Sequence, residues 1–369
     1  MPTRRTLVMG DPQAPLATVL DILGRHGALT AGERLAPDVV LVSIGDHFDY
    51  DLDDPVGAGR EGVLVLRWLA GHDPAQVRIL FGNHDAARVM ELISLDDQRF
   101  AQVRALACRI ADAARLADGG STRLEAEFGR RFPDVATPGL AARDYASYSE
   151  GQRALVMELL LAGRFDLALA GRLPDGRDVL LTHAGVTGRE LGLLGMAGEV
   201  DPRRIARALQ SRLRDACDAR RGDWAHGLLL PLLLEPLHVA GRGGAEGGGL
   251  LYHRPARTDR PDADSRWELD PRRPRRFDPR SLPAGLHQVV GHTGHQKCKA
   301  ELGDAWLTDA ARARSRGGIR TLRVRDGAVT YDVGAVPAVP GATDMLLIDG
   351  EMWRVPADEY ALLELAGVD

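Results

Sequence analysis

Cysteine is scarce in this chain of 369 residues, which has only three, at positions 108, 217 and 298. They are widely spaced and no Cys-x-x-Cys pair occurs, so the sequence indicates neither a disulfide framework nor a zinc–thiolate site. Long apolar runs are also missing, since the most apolar stretch, residues 227–234, is far too short to span a bilayer. No secretory signal is visible near residue 1. We therefore expect a cytoplasmic protein with reduced cysteines and no membrane partner.

Lysine and aromatic residues are scarce as well. Lys297 and Lys299 are the only lysines, so almost all positive charge comes from arginine. Aromatic residues make up 5% of the chain, and we expect a core built from Leu, Val and Ala. The formal net charge of −5 gives no reason to expect a nucleic-acid partner. The arginine-rich run over residues 272–280 is interpreted as a solvated loop.

Three strand–turn–helix units begin the chain. Short apolar runs over residues 6–9, 39–42 and 77–81 predict buried strands, each followed at once by polar residues. Helices are predicted over residues 15–26 and 59–70 after the first two turns. Strands that alternate with helices are typical of α/β proteins with a mostly parallel sheet. The polar residues therefore fall at the same end of each strand.

Two long stretches interrupt this pattern. Residues 86–162 are mainly helical in pattern and are interpreted as an insertion that covers one side of the sheet. Residues 241–280 are rich in Gly, Pro and Arg and are interpreted as a loop-rich insertion. We expect a main domain over residues 1–334 and a strand–helix appendage over residues 335–369, with its helix at about 356–366. Further predicted elements are strands over 165–170, 179–182, 287–290, 305–309 and 319–324 and a helical region over 188–238.

Five predicted strand ends carry side chains that could bind metal. They are Asp11 with Gln13, Asp46 with Asp49, Asn83 with His84, His183, and His292. Carboxylate, amide and imidazole donors suit two divalent ions of the Mn, Fe or Zn type. Two such ions need a shared anionic ligand to offset their repulsion. Asp46 lies centrally in the order of these residues and is the best candidate for that shared ligand. Each residue alone could be a turn former or a structural histidine, but their joint occurrence after strands favours a metal site.

Four short motifs resemble those of the calcineurin-like metallophosphoesterases. They are Gly45-Asp46-His47-Phe48-Asp49, Gly82-Asn83-His84-Asp85, Thr182-His183-Ala184-Gly185 and Gly291-His292-Thr293. Residues 250–255 and 307–309 resemble segments of the branch that contains Ser/Thr phosphoprotein phosphatases and diadenosine tetraphosphatases. The resemblance implies a sandwich of two mixed β-sheets flanked by helices, with a dinuclear metal site.

The resemblance also implies a role for each site residue. The implied ligands are Asp11 and Asp46 at the first metal, and Asp46, Asn83, His183 and His292 at the second. His84 would protonate the leaving group, and Asp49 would hydrogen-bond His84 and keep it cationic. A hydroxide that bridges the two metals would attack phosphorus in line.

Three positions depart from the motifs of the family. Gln13 stands where the first motif usually has His; it could be a ligand that favours Mn or Mg over Zn or Fe, or a residue that faces water. His295 comes one residue later than the second His of the last motif. Tyr50 stands where the phosphoprotein phosphatases have an arginine that binds phosphate. Arg254 and Arg88 are candidates for that contact, with Arg254 favoured by its motif and Arg88 expected at the surface.

The sequence thus predicts a metal-dependent phosphoester hydrolase with two divalent ions, for which Mn is favoured and Fe, Zn or Mg are alternatives. The favoured substrate is a Ser/Thr phosphoprotein, and the alternative is a nucleotide or dinucleoside polyphosphate. A non-catalytic binding or scaffold module on the same fold is the competing class. A nuclease is disfavoured by the acidic net charge. The oligomeric state cannot be read from the sequence.

Overall fold

A computed structural model describes residues 4–116, 120–258 and 272–369. Its two main sheets have five and seven strands. The strands are β1 (Arg5–Met9), β2 (Val39–Ser43), β3 (Val77–Leu80), β4 (Phe165–Asp166), β5 (Ala168–Arg172), β6 (Asp178–Thr182), β7 (His238–Val239), β8 (Gly248–Gly249), β9 (Arg254–Pro255), β10 (Arg276–Phe277), β11 (His287–Val290), β12 (Arg320–Arg325), β13 (Ala328–Val333), β14 (Thr343–Leu347), β15 (Leu363–Leu365) and β16 (Gly367–Val368). The α-helices are α1 (Leu16–Arg25), α2 (Pro55–Ala70), α3 (Asn83–Ala87), α4 (Asp97–Leu116), α5 (Gly120–Arg131), α6 (Glu150–Leu161), α7 (Gly188–Leu193), α8 (Pro202–Ala225), α9 (His295–Leu302) and α10 (Asp309–Ala313).

Both main sheets are mixed. The first has the order β15-β1-β2-β3-β4, in which β1 to β4 run parallel and β15 pairs antiparallel with β1. The second has the order β13-β12-β14-β11-β6-β5-β16, with β6, β11 and β14 parallel to one another. Two smaller ladders join β7 to β8 and β9 to β10.

The two sheets pack face to face through one apolar layer. Val8, Val42 and Leu80 of the first sheet belong to the same buried cluster as Leu181 and Val289 of the second. The opposite face of the first sheet is covered by α1 and α2, and α1 buries an apolar stripe at i, i+3 and i+4. The predicted α/β class, with two mixed sheets in a sandwich flanked by helices, is confirmed.

The insertion over residues 86–162 is mainly helical, as predicted, and holds α4, α5 and α6 with a short π-helix at Leu140–Asp144. The loop-rich region contains only the two-residue strands β8, β9 and β10 and a 3-10 turn at Pro279–Ser281 within the part that the structure describes. Its residues 259–271 lie outside the described part of the chain. No helix among the described residues is long and apolar enough to cross a membrane.

Two local predictions are wrong. Residues 305–309 form a 3-10 turn and the start of α10 rather than a strand, because the Thr308 side chain caps α10 by accepting from the Ala311 N–H at 3.2 Å. The helical region predicted over 188–238 ends at Ala225, and the apolar run that contains Pro231 is not helical. Proline lacks the N–H that a helix interior needs.

The expected C-terminal appendage is also wrong, because residues 335–369 complete both sheets. Strand β14 lies between β11 and β12 in the second sheet, and β15 extends the first sheet beside β1. The helix predicted at 356–366 contains β15 instead, in which the buried Leu363 and Leu365 alternate with the exposed Glu364. This period of two is the pattern of a half-buried strand.

Candidate metal centre

The polar residues that follow the parallel strands meet at one edge of the sandwich. Asp11, Asp46 and Asn83 follow β1, β2 and β3 of the first sheet, and His183 and His292 follow β6 and β11 of the second. All five side chains are buried. Ligand sites of open α/β sheets occur at the carboxyl ends of the strands, and here both sheets contribute.

Asp46, His183 and His292 form the tightest donor group, with ligand atoms that all lie within 4.8 Å of one another. The Nδ1 atom of His183 donates to the main-chain oxygen of Ile44 at 2.9 Å, which leaves the lone pair on Nε2. That Nε2 atom lies 3.0 Å from Oδ1 of Asn83 and 3.4 Å from Oδ2 of Asp46. A proton on Nε2 or a cation bound between the three atoms would satisfy this arrangement. Burial lowers the pKa of His183, but the Asp46 carboxylate raises it above its ordinary value.

His292 places a second ring nitrogen that could bind metal at the same edge. Its Nε2 atom is buried and has no hydrogen-bond partner within the described residues. An unpaired buried ring nitrogen is costly unless it binds a ligand. Histidine ligands in metal sites typically donate their other N–H to a carbonyl, as His183 does to Ile44. The donor set therefore fits a divalent metal ion.

The backbone at these turns is shaped for the ligands. Asp46 and His292 have positive φ angles of 58° and 63°, and such conformations concentrate at functional sites. A Cβ atom at Gly82 would lie 2.2 Å from Oδ1 of Asp46, and one at Gly291 would lie 2.0 Å from Oδ1 of Asp11. Glycine beside each carboxylate is therefore required by the close approach of the chain.

Asp11 and Gln13 lie beside this group and line an adjacent cavity of about 240 Å³. The Asp11 carboxylate accepts the main-chain N–H of His292 at 2.9 Å. Burial raises the pKa of Asp11, and the nearby carboxylates of Asp349 and Asp46 raise it further. The amide nitrogen of Gln13 donates to the oxygen of Phe48 at 2.6 Å. An adjacent metal position would thus have oxygen donors.

His84 and Asp49 are brought into direct contact. Nδ1 of His84 lies 2.9 Å from Oδ2 of Asp49, and its Nε2 atom lies 3.8 Å from Oδ2 of Asp46. Burial lowers the pKa of His84, but the carboxylates of Asp46 and Asp49 outweigh that effect and raise the pKa above its ordinary value. The two carboxylates therefore favour the protonated form of the imidazole beside the metal-binding edge.

Arg88 is buried under Asp49 and does not lie at the surface as expected. Its Nη1 atom lies 2.6 Å from Oδ2 of Asp49, and its other nitrogens donate to Gln152 and Ser147 at 3.0 and 3.1 Å. Burial raises the pKa of Asp49, but Arg88 and His84 lower it well below its usual range. Because its donors are used within the protein, Arg88 holds Asp49 rather than a phosphate group.

Arg88→Lys is expected to destabilise the protein by about 1–3 kcal/mol, because a lysine cannot reach Asp49, Gln152 and Ser147 together and leaves buried acceptors unpaired. Chemical denaturation would measure the free energy of unfolding. Arg115→Lys, at an exposed position on α4, should change it by less than about 0.5 kcal/mol. Equal stability of the Arg88→Lys variant and the wild type would contradict the role given to Arg88.

Of the remaining candidates from the sequence, two line cavities at the site and one lies away from it. Arg254 lines a small cavity with Asn83 and His84, and its buried Nε atom has no partner within the described residues. Tyr50 lines the cavity beside Asp11 and offers a phenol rather than a cation. His295 points away from the metal-binding edge, since its Nδ1 and Nε2 atoms contact Tyr331 and the main chain of Ala311 at 2.8 and 3.1 Å.

The sequence reasoning missed two acidic residues of the site. Asp85 accepts from the main-chain N–H groups of Asp46 and Gly82, each at 3.1 Å, and so fixes two of the turns against each other. Asp349 lines the same cavity as Asp11 and follows β14. A signal for Asp349 was present, because Asp349-Gly350 follows an apolar run just as the other site residues do.

One comparison with known proteins identifies the family of this chain. The sequence model of the calcineurin-like phosphoesterase family matches residues 4–208. None of the curated proteins matches the chain. A solved structure described as a cold-active protein tyrosine phosphatase is 13% identical, with a TM-score of 0.35, and the match covers 80% of this chain and 70% of the other. A likeness this weak carries no argument about function.

Proposed function

Because the chain belongs to the calcineurin-like phosphoesterase family, we propose that it hydrolyses phosphate esters with two divalent metal ions. The observation that carries the proposal is the buried group of Asp46, His183 and His292, whose ligand atoms lie within 4.8 Å of one another. His84, whose pKa is raised by Asp46 and Asp49, lies beside the metal-binding edge. A cation site next to a proton donor is an arrangement that supports metal-assisted phosphoester hydrolysis.

Two neighbouring groups of residues would hold the ions. One ion would be held by Asp46, Asn83, His183 and His292, and the other by Asp11 and Gln13 with Asp46 shared. Bound ions would lower the pKa of water and offset the charge of the phosphate group. The amide and carboxylate oxygens favour manganese for the second group of ligands. Iron, zinc and magnesium are the alternatives.

The residues of the chain would supply the proton for the leaving group. With Nδ1 of His84 bonded to Asp49, the other N–H of the ring is directed toward Asp46 and the metal-binding edge. A departing alkoxide there can take the proton from Nε2. Positioned general acids of this kind contribute about 10²–10⁴-fold to rate.

Arg254 is the proposed phosphate-binding residue, and Arg254→Ala is expected to lower kcat/KM by about 10–100-fold. A charge-assisted hydrogen bond is worth roughly 1.5–3 kcal/mol, and each 1.4 kcal/mol is a factor of ten. Steady-state kinetics with p-nitrophenyl phosphate would measure the loss. Arg316→Ala, at an exposed position, should leave kcat/KM unchanged. Wild-type kinetics in the Arg254→Ala variant would remove Arg254 from the site.

A phosphomonoester of the Ser/Thr phosphoprotein type is the proposed substrate. A second candidate, a nucleotide or dinucleoside polyphosphate, is favoured by a cationic cavity of about 320 Å³ next to the site. It is lined by Arg143, Arg254, Arg275, Arg276 and Lys297, with Asp144 and Glu301 as the acidic residues. It shares Arg254 and Arg275 with the cavity that contains His84, so one substrate could reach both.

A hydrolysis screen with Mn²⁺ tests the proposal and separates the candidates. The substrates are p-nitrophenyl phosphate, its bis-ester, a phosphoserine peptide and dinucleoside tetraphosphates. Turnover of the peptide supports the first candidate, and selective turnover of the tetraphosphates supports the second. If none of these substrates is hydrolysed with any divalent metal, the proposal that the protein is an enzyme is wrong. In that case the metal content of the purified protein would distinguish a metal-loaded protein from a metal-free scaffold.

A further inference from the structure

We propose that Asp349 supplies an additional oxygen ligand to the metal ion at Asp11 and Gln13. This inference rests on the dinuclear centre of the proposed function. It adds a residue from the C-terminal strands, far from the four motifs in sequence, to the metal-binding edge.

The topology puts Asp349 at the correct edge. Strand β14 runs parallel to β11, with Leu347 paired to Val290, and the N–H of Ile348 donates to the oxygen of Val290 at 2.8 Å. Asp349 therefore leaves the second sheet next to His292. The adjacent parallel strands β6, β11 and β14 end in His183, His292 and Asp349, facing the three residues that end β1, β2 and β3.

The metal position at Asp11 lacks the imidazoles that the family motifs would provide. Gln13 replaces one histidine, and its amide nitrogen is bonded to the oxygen of Phe48. His295 is held by Tyr331 and Ala311 away from the edge. Asp11, Gln13 and Asp349 line one cavity, so an ion there could be reached by all three oxygen-bearing side chains. A carboxylate is a stronger ligand for a hard cation than the neutral amide of Gln13.

The charge balance at this position calls for a cation. Asp11, Asp46 and Asp349 are 2%, 2% and 9% exposed, and buried carboxylates without compensation are costly. Burial raises the pKa of Asp349, although Arg320 opposes the shift. Arg320 donates to the main-chain oxygens of Leu347 and Asp349 at 3.3 and 2.6 Å. The Asp349 carboxylate accepts the main-chain N–H of Glu351 at 3.0 Å through Oδ1 and lines the cavity.

Asp349→Asn tests the inference, since the amide keeps the shape of the side chain and removes its charge. Mn²⁺ binding would be measured by equilibrium dialysis with elemental analysis, and the electron paramagnetic resonance spectrum would report coupling between the two ions. The wild type should bind two ions, whereas Asp349→Asn should bind the second ion at least about 10-fold more weakly and show an uncoupled spectrum. Asp349→Glu, which keeps the carboxylate, should restore the second ion.

Glu351→Gln is the matched control, because Glu351 lines the same cavity but its carboxylate lies 3.5 Å from the cationic Arg354. It should retain two ions with wild-type affinity. Thermal unfolding of the metal-free proteins checks the fold: Asp349→Asn should be no less stable than the wild type, because it removes a buried like charge.

The outcomes separate this inference from the proposed function. Two tightly bound ions in Asp349→Asn would overturn the inference and leave the proposed dinuclear centre in place. An equal loss of affinity for the second ion in Asp349→Asn and Glu351→Gln would also overturn it. The removal of any negative charge near the cavity would then explain both losses. Fewer than two ions in the wild type would overturn the dinuclear centre together with the inference. If Asp349→Asn fails to fold, a single bound ion in Asp349→Glu would count against ligation by Asp349.

Discussion

Asp46→Asn is expected to lose bound metal and to lower turnover by at least about 10³-fold. Asp46 is the carboxylate proposed to be shared by both ions, and metal ions contribute several kcal/mol to catalysis, at roughly 1.36 kcal/mol per factor of ten. The substitution is conservative for the fold, because asparagine tolerates the positive φ of 58° at this position. Its oxygen can still accept the main-chain N–H of His84, which Oδ1 of Asp46 accepts at 2.8 Å.

The measurements for Asp46→Asn are metal content after dialysis and initial rates at saturating Mn²⁺. Asp53→Asn, which removes an exposed carboxylate from the loop after the site, is the control and should retain metal and activity. A variant at position 46 that kept two ions at wild-type affinity would show that Asp46 does not bridge them.

Asp49→Asn is expected to lower kcat by about 10²–10⁴-fold while metal content stays at the wild-type level. The amide oxygen can still accept from Ser147, whose N–H and hydroxyl lie 2.9 and 2.6 Å from Oδ1 of Asp49. The substitution removes one of the two negative charges that raise the pKa of His84, so a smaller fraction of His84 carries the proton that the leaving group needs.

The matched variant for Asp49→Asn is His84→Asn, which removes the proton donor itself. Residues that act as a unit are not additive, so the double variant should be no slower than His84→Asn alone. Additive losses would place Asp49 and His84 in separate steps. An equal loss of metal in Asp49→Asn and Asp46→Asn would show that the division of roles between the two carboxylates is wrong.

The fold was predictable where a short stretch of sequence forms a fully buried strand. Apolar runs such as residues 39–42 identify the parallel strands, because a buried strand has few alternatives for such residues. The C-terminal strands were not predictable in the same way. Residues 356–366 are rich in Ala, Leu and Glu, which favour a helix, but pairing of Leu363 and Leu365 with β1 overrides that propensity. Strand order depends on partners distant in sequence.

The candidate site was predictable where a polar residue follows a strand of known direction. This rule is enough to bring Asp46, Asn83, His183 and His292 to one edge from the sequence alone. The position of Arg88 could not be predicted, because its burial depends on Asp49 and on Ser147 and Gln152 from the helical insertion. Asp349 was missed because the pattern of residues 335–369 predicts an appendage, whereas β14 pairs with β11 at the centre of the second sheet.

The strand order also has a consequence for how the chain reaches its native state. Thr6 pairs with Leu365, and β14, an interior strand of the second sheet, follows all but one of the other strands of that sheet in sequence. Proteins dominated by pairings between distant residues fold slowly, because large loops must close before those contacts form. Asp11 follows β1, which pairs with β15, and Asp349 follows β14, which pairs with β11, so the positions of both depend on such pairings. We therefore expect the metal-binding edge to be among the last parts of the molecule to assemble, and hydrogen exchange during refolding should protect β14 and β15 after β2 and β3.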